Sequence, residues 1–582
     1  MQEKVVGVLQ IYRLWFEKDD KIFGDSMNTT SHAKETAKKS TGQTLGHAFK
    51  GRQEFAMLLL GFASGLPYVV VVGVLNAWLT TAGVKPTAIG LLSWVILAYT
   101  FKYMWAAALQ SHRTPFKLKI GPRRYWMFVF LALNVIGLVV ISFAKPPESL
   151  AFIGVVGIII AAFSASFDIV QAAWKIESAE NEQHLDLLCT IEQFGYRFSS
   201  FIVGAGALIF AQYFGWQPTF IVTAAILALC VVGIILARPS PMADEQPAGY
   251  HHAFSLAPMH RLLGVLVVLM SWGLAFYILG NFMFGALADP TSHSPRAFLK
   301  EMDKAPAVVF LTVIVLGVVA AMLLRLQANE ENLSDDRQAN VIDILFGAIL
   351  VPMMDLISRL RWAALLVLAL VLSYRFTDLI WGGFAYPFYM GTNYGALGHS
   401  LTEVGLASKT VGVIATIFGI GPGGLAMLKF GRMPVMLVGG IFAALTNLLF
   451  ADLAMGAHFM DGFLGLTQLD HFFALFKIDL PLARLITAIF AENVAVGMAS
   501  AASVAFLSSM VSKKYAATQY ALLASLTFLI GVLGRPAIGQ IIETEGFAKA
   551  FIICAWLGSV AVVLTALEWY RQVRVKRAKK TN

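Results

Sequence analysis

The amino-acid sequence predicts an all-α polytopic membrane protein with about 14 spans, and three observations carry that prediction. Of 582 residues 58% are hydrophobic and only 14% charged, with a mean hydropathy of +0.70, which is too apolar for one soluble core of this length. Apolar runs of about 20 residues, each long enough to cross a bilayer, recur from near residue 54 to near residue 568. The basic residues gather in particular loops between these runs.

Six spans fall at roughly 54–82, 86–109, 124–144, 150–175, 189–213 and 217–237. Residues 239–261, rich in Pro, His and charge, read as a linker. A hydrophobic pair at roughly 262–287 and 307–327 follows, and then a charged stretch at 328–340. Segment 344–358, with Pro352 and Asp355, is too short to span and reads as an interfacial helix. The last six spans lie at roughly 362–390, 403–428, 433–455, 480–511, 515–541 and 547–569.

This six, two, six plan is that of the major facilitator fold, two six-helix halves with the solute site near the midplane between them, carrying two extra central transmembrane helices. The expected division is an N-terminal extension (1–53), a first half (54–238), a linker with the inserted pair (239–343), an interfacial helix with the second half (344–570) and a basic tail (571–582).

The net charge of +9 does not point to nucleic acid, because the basic residues form no stripe interleaved with aromatics. They mark orientation instead. Arg113, Lys117, Lys119, Arg123 and Arg124 lie between the second and third spans, Lys429 and Arg432 between two later ones, Lys513 and Lys514 between two more, and Arg571, Arg574 and Arg577 in the tail. The positive-inside rule places all of them, and both termini, in the cytoplasm. The three cysteines, Cys189, Cys230 and Cys554, fall in apolar segments without paired or metal-ligand spacing, so neither a disulfide framework nor a metal site is expected. Residues 1–53 lack a signal-peptide pattern and read as a cytoplasmic extension.

An ionisable residue inside a span costs at least about 2.5 kcal/mol, which makes each one a functional candidate. Asp168, within the fourth span, has no cation one turn away, and Lys175 lies seven positions on, on roughly the same face. Lys175 and Glu177 sit near the inner end of that helix, where snorkelling accounts for them, and Lys102 is either an anchor or, with Lys175, a cytoplasmic gate charge.

Glu192, Gln193, Tyr196 and Arg197 form a dense cluster that is either an interhelical lock or a solute contact. Arg375 and Asp378 can neutralise each other or serve the pathway. Glu403 follows Ser400 in capping-box spacing and reads as a helix start. Lys409 has no such local role and can attract an anion or form a buried pair. Glu492 and Asn493 are deep in a span and are followed by small residues suited to close packing.

The chain resembles the AmpG-type muropeptide permeases of the major facilitator superfamily in GFASGLP (61–67), FKYMW (101–105), IGPRRYW (120–126), SASFDIVQAAWK (164–175) and FGYR (194–197). In the second half the matching pieces are YRFTD (374–378), TEVGLASKTVGVIATI (402–417), FAENVAVGMASAASVAFL (490–507) and ATQYALLASL (517–526). It departs from the family at Gln110 and Ala172, where acids are usual, and at Arg535, a turn displaced.

The resemblance implies import of anhydromuropeptides across a bacterial inner membrane for peptidoglycan recycling, driven by the proton gradient without a cofactor. On that reading Asp168, Glu492 and Asp378 are proton-coupling candidates. Lys409, Arg197, Arg375, Glu192, Gln193, Tyr196 and Asn493 are solute contacts, and the expected working unit is a monomer in the lipid. Rival readings are a permease for another bulky solute such as a siderophore or peptide, a membrane-embedded transferase, and a solute sensor. The histidines concentrate in the linker and loops, with no nucleophile constellation among the spans and no GxxxxGK[ST] loop, so neither an enzyme nor a primary pump is expected.

Overall fold

A computed structural model describes residues 51–105, 109, 120–178, 180, 182–239, 256–289, 292–329, 340–512 and 515–581. Residues 1–50 of the expected N-terminal extension, most of the linker, the acidic stretch at 330–339, Gln110, Arg113, Lys117, Lys119, Lys513 and Lys514 lie outside the described residues.

Fourteen stretches of helix among the described residues are long and apolar enough to cross a membrane, the last of them, Leu522–Val575, running through the final two helices named below. The first half comprises α1 (Arg52–Thr81), α2 (Pro86–Trp105), α3 (Pro122–Ile141), α4 (Leu150–Ser178), α5 (Glu182–Phe214) and α6 (Trp216–Leu236). The inserted pair is α7 (Pro258–Ala288) and α8 (Ala305–Gln327), followed by α9 (Val341–Leu360). The second half comprises α10 (Ala363–Met390), α11 (Leu401–Gly424), α12 (Arg432–Ala454), two short helices α13 (His458–Thr467) and α14 (Leu469–Leu475), then α15 (Leu480–Met510), α16 (Ala516–Leu533) and α17 (Arg535–Thr581). Helix α17 breaks at Gly546, whose φ of 81° is open to glycine and strained for other residues, and the chain restarts with Phe547 N–H donating to Tyr394 O at 2.9 Å. The basic tail continues α17 as helix.

Helix α9 is longer than the interfacial segment expected at 344–358. It begins at Val341, so the boundary drawn at 343/344 falls inside it, and its 20 residues satisfy the length of a span. Its contacts nevertheless fasten both ends to one end of the bundle. Near its start Asp343 forms a buried ion pair with Arg261 at 2.7 Å, in the first turn of α7. Near its finish Arg359 donates to Met510 O, the last residue of α15, and to Gln519 in the first turn of α16, both at 2.9 Å. A helix crossing the bilayer has its ends on opposite sides, so α9 lies along this face.

The halves meet closely toward the other end, which carries the α1–α2, α5–α6 and α10–α11 turns and the break of α17 at Gly546. There α2 packs on α17, α5 on the start of α11, and the end of α1 on the end of α10. Thr87 N–H donates to Glu543 at 2.7 Å, and Thr402 donates through N–H and hydroxyl to Gln212 at 2.8 and 3.0 Å. Deeper in, Asn76 donates to Gly383 O at 3.1 Å and Trp94 to Val532 O at 3.0 Å. Gly90 and Gly539 make the α2–α17 approach possible, because a methyl group at either would lie under 3.0 Å from backbone of the facing helix.

The inserted pair touches both halves. Helix α7 stacks its aromatics on α2 through Phe101–Phe276 (5.1 Å), Tyr103–Trp272 (5.5 Å) and Trp94–Phe282 (5.8 Å). The segment after α7 holds α17: Ser294 hydroxyl and Arg296 N–H both donate to Gln540, and the Arg296 guanidinium donates to Thr544 and Glu545 at 2.8 Å.

Candidate functional site

Pro67 lies inside α1, and the backbone widens into a π turn at Val70–Val74 directly afterwards. Ser64 and Tyr68 lie on either side of Pro67, just ahead of the π turn. Ser64 donates to Asp168 of α4 at 2.6 Å, and Lys102 approaches the same carboxylate at 3.6 Å. Asp168 therefore has a cation after all, supplied by a neighbouring helix. The Asp168 and Lys102 side chains remain 22% and 29% exposed, so the pair is reachable by water.

Lys175 does not share this site and does not snorkel. It forms an ion pair with Glu192 of α5, with both side chains mostly buried, and Gln171 donates to the same carboxylate at 3.2 Å. Glu177 is likewise held by Arg123 through bonds of 2.6–3.2 Å. Lys102 and Lys175, expected as gate charges, thus engage carboxylates of their own half in this conformation. The side chain of Gln193 lies outside the described residues.

In the second half Arg375 sits at a break in α10, forms an ion pair with Asp378 (Nε to Oδ2 2.6 Å) and donates to Ser500 of α15 at 3.0 Å. Glu492 is within electrostatic reach of both Asp378 and Arg375. Asn493 is tied up between helices: it accepts from Thr416 of α11 at 3.1 Å and donates to Ile489 O and Glu492 at 2.9 and 3.2 Å. Its geometry is that of a clamp between α11 and α15, rather than of a group presented to a solute. Ser400 and Glu403 form the expected capping box at the start of α11.

Tyr68 stands where these groups converge. Its ring meets Tyr99 edge-on at 5.2 Å and Tyr196 at 6.2 Å. Four cations lie within electrostatic reach of its hydroxyl: Arg197 from the first half and Arg375, Lys409 and Arg535 from the second. Lys409 lies in a π-helical stretch of α11, Gly405–Val411, which packs on α5. A methyl group on Gly204 would touch the Lys409 stem at 3.0 Å, and its ammonium sits 5.6 Å from the Tyr386 ring centre. Arg535 is 3% exposed and donates from Nε to Leu379 O at 2.7 Å.

Among the described residues the pairs Lys102–Asp168, Lys175–Glu192 and Arg375–Asp378 neutralise one another. Among the described residues Arg197, Lys409 and Arg535 have no carboxylate within ion-pair distance, and of these four acids Glu492 has no such cation, so the described lining carries a surplus of positive charge. Sequence reasoning missed Tyr68, Tyr99 and Tyr386, because a tyrosine in an apolar run looks like packing. No group of three or more His, Cys, Asp or Glu suited to a metal occurs among the described residues, where Cys230 and Cys554 are buried free thiols.

Two helical halves joined across a seam lined with charges define a multi-pass membrane protein with the major facilitator fold. Solved structures share the architecture: an auto-inhibited POT family peptide transporter has a TM-score of 0.60 at 14% identity over 90% of this chain and 97% of that one. The POT family transporter PepTSo gives 0.58 at 14% identity over 90% and 98%. By sequence the chain is 24% identical to the putative transporter AmpG 4 of Rickettsia felis, over 89% of this chain and 96% of that protein. It is 24% identical to the anhydromuropeptide permease of Escherichia coli K12, over 90% and 82%. The resemblance to the AmpG-type permeases therefore runs through nearly the whole chain, although no family model matches it. These relatives carry the names of a transporter and a permease.

Proposed function

We propose that the protein imports anhydromuropeptides into the cytoplasm across a bacterial inner membrane by proton-coupled alternating access, working as a monomer. The observation that carries this reading is the cation surplus around Tyr68, drawn from both halves, which suits a solute bearing carboxylates and would engage both halves at once. The name of the E. coli relative supplies the solute class. The basic loops support a cytoplasmic placement of the end where α9 lies, and on that orientation the closely packed end is the periplasmic one.

Asp168, Glu492 and Asp378 are the proton sites in this reading. A proton on Asp168 removes the countercharge of Lys102 while Ser64 can still donate to the carboxyl group, so protonation changes an ion pair without dismantling the helix contact. A solute carboxylate among Arg197, Lys409 and Arg535 supplies negative charge from the opposite side and changes the cost of that proton.

The test is uptake of labelled GlcNAc-anhydroMurNAc-tripeptide in cells lacking their own permease, with and without an uncoupler and with Asp168→Asn alongside. Uptake that the uncoupler and the substitution both abolish supports the proposal. No uptake from protein shown to be in the membrane would overturn the solute assignment while leaving the architecture intact.

A further inference from the structure

Between α12 and α15 the chain folds into α13 and α14, which pack on those two spans. One side of α13 is fixed to the protein. Asp452 accepts from Phe459 N–H and Met460 N–H at 3.0 and 2.9 Å, Asp461 takes the Arg484 guanidinium through bonds of 2.6 and 2.7 Å, and Met460 and Leu464 are buried. The other side is apolar and uncovered: Phe459, Leu466, Phe472, Leu475 and Phe476 are exposed, Leu466 at 86% and Leu475 at 80%. No residue of α14 is buried.

Apolar surface of this extent is not left to water. The carboxylates around it are engaged elsewhere: Asp461 with Arg484, Asp470 with its neighbour His471, and Asp479 as the cap of α15. Continuity identifies what covers it. On α12, Val438, Ile441, Phe442, Leu445 and Leu448 recur at helical spacing as an exposed apolar stripe, the surface a spanning helix turns to lipid. Met455 and Phe459, both exposed, carry that surface past the end of α12 into the hairpin.

We propose that α13–α14 is an interfacial foot whose occupant is phospholipid, the hairpin lying at the acyl-chain boundary of the leaflet opposite the one that faces the N-terminal end of α1. Its two short helices lie on the membrane while their polar ties hold α12 and α15, so the foot gives the second half a fixed purchase on that leaflet.

The test uses the full, unsubstituted chain in phospholipid vesicles that contain a phospholipid with a diazirine near the headgroup end of one acyl chain, with a water-soluble carbene reagent in a parallel sample. The expected result is lipid adducts on peptides covering 459–476 about as dense as on those covering 438–448, with loss of aqueous labelling on both. Aqueous labelling of 459–476 together with lipid adducts confined to α12 would overturn the proposal, and is the result a docking surface for a soluble protein would give.

Discussion

Lys175 forms its ion pair with Glu192 on the neighbouring helix and leaves Asp168, two turns back on its own helix, to Lys102. These two carboxylates therefore have separate cations, although they remain within electrostatic reach of each other.

Asp168→Asn keeps an acceptor for Ser64 and removes the charge facing Lys102. Because the pair is partly wet, the stability loss should stay at about 1 kcal/mol, while proton-driven uptake is lost. Thermal unfolding in detergent and uptake in vesicles measure the two; full uptake by the variant would remove Asp168 from the coupling mechanism.

Lys175→Met should be worse for folding, because Glu192 is left with its charge in a mostly buried position. A loss of about 3 kcal/mol is expected, with Glu192→Gln in the same chain recovering much of it. A double-mutant cycle on thermal unfolding measures the coupling, and additive single effects would mean the pair is solvated.

Lys409→Met preserves most of the stem volume against Gly204 and removes the ammonium. A lost charged hydrogen bond of about 1.5 kcal/mol corresponds to roughly a tenfold rise in KM for an anionic solute, with little change in stability. An unchanged KM would mean that Lys409 does not meet the solute.

Gln212→Cys with Thr402→Cys, in a chain whose native cysteines are replaced, places two thiols across the packed end of the seam, where Thr402 donates to Gln212. Oxidation should link them in the resting protein and stop uptake, and solute with a proton gradient should slow the linking. Linking at the same rate under all conditions would argue against opening at this end.

Gly497 lets α11 and α15 touch, since a methyl group there would lie 2.4 Å from Thr416 O. Gly497→Ala should separate the helices around the Asn493 clamp and cost about 1–3 kcal/mol, read as lowered thermal stability.

The spans were legible in the sequence because lipid demands unbroken apolar runs, and an insertion between two six-span halves shows directly in hydropathy. The end-on fastening of α9 was not, since it depends on Arg261 and Arg359 finding partners far along the chain. The partner of Asp168 escaped for the same reason: a search one turn either way on its own helix cannot see Lys102. Tyr68 carried no signal, as its neighbours in the sequence are valines and a proline. Its place among four cations exists only once two halves fold together.

Arg296 and Gln540 tie the loop beyond α7 to α17 in the second half, while the rings of α7 rest on α2 in the first. The angle between the halves is thus read by a third body gripping both, like a splint laid across a joint. A full swing must either slide rings along α2 or let go of α17, so the rate of turnover carries a frictional contribution that a bare pair of six-helix halves would not have.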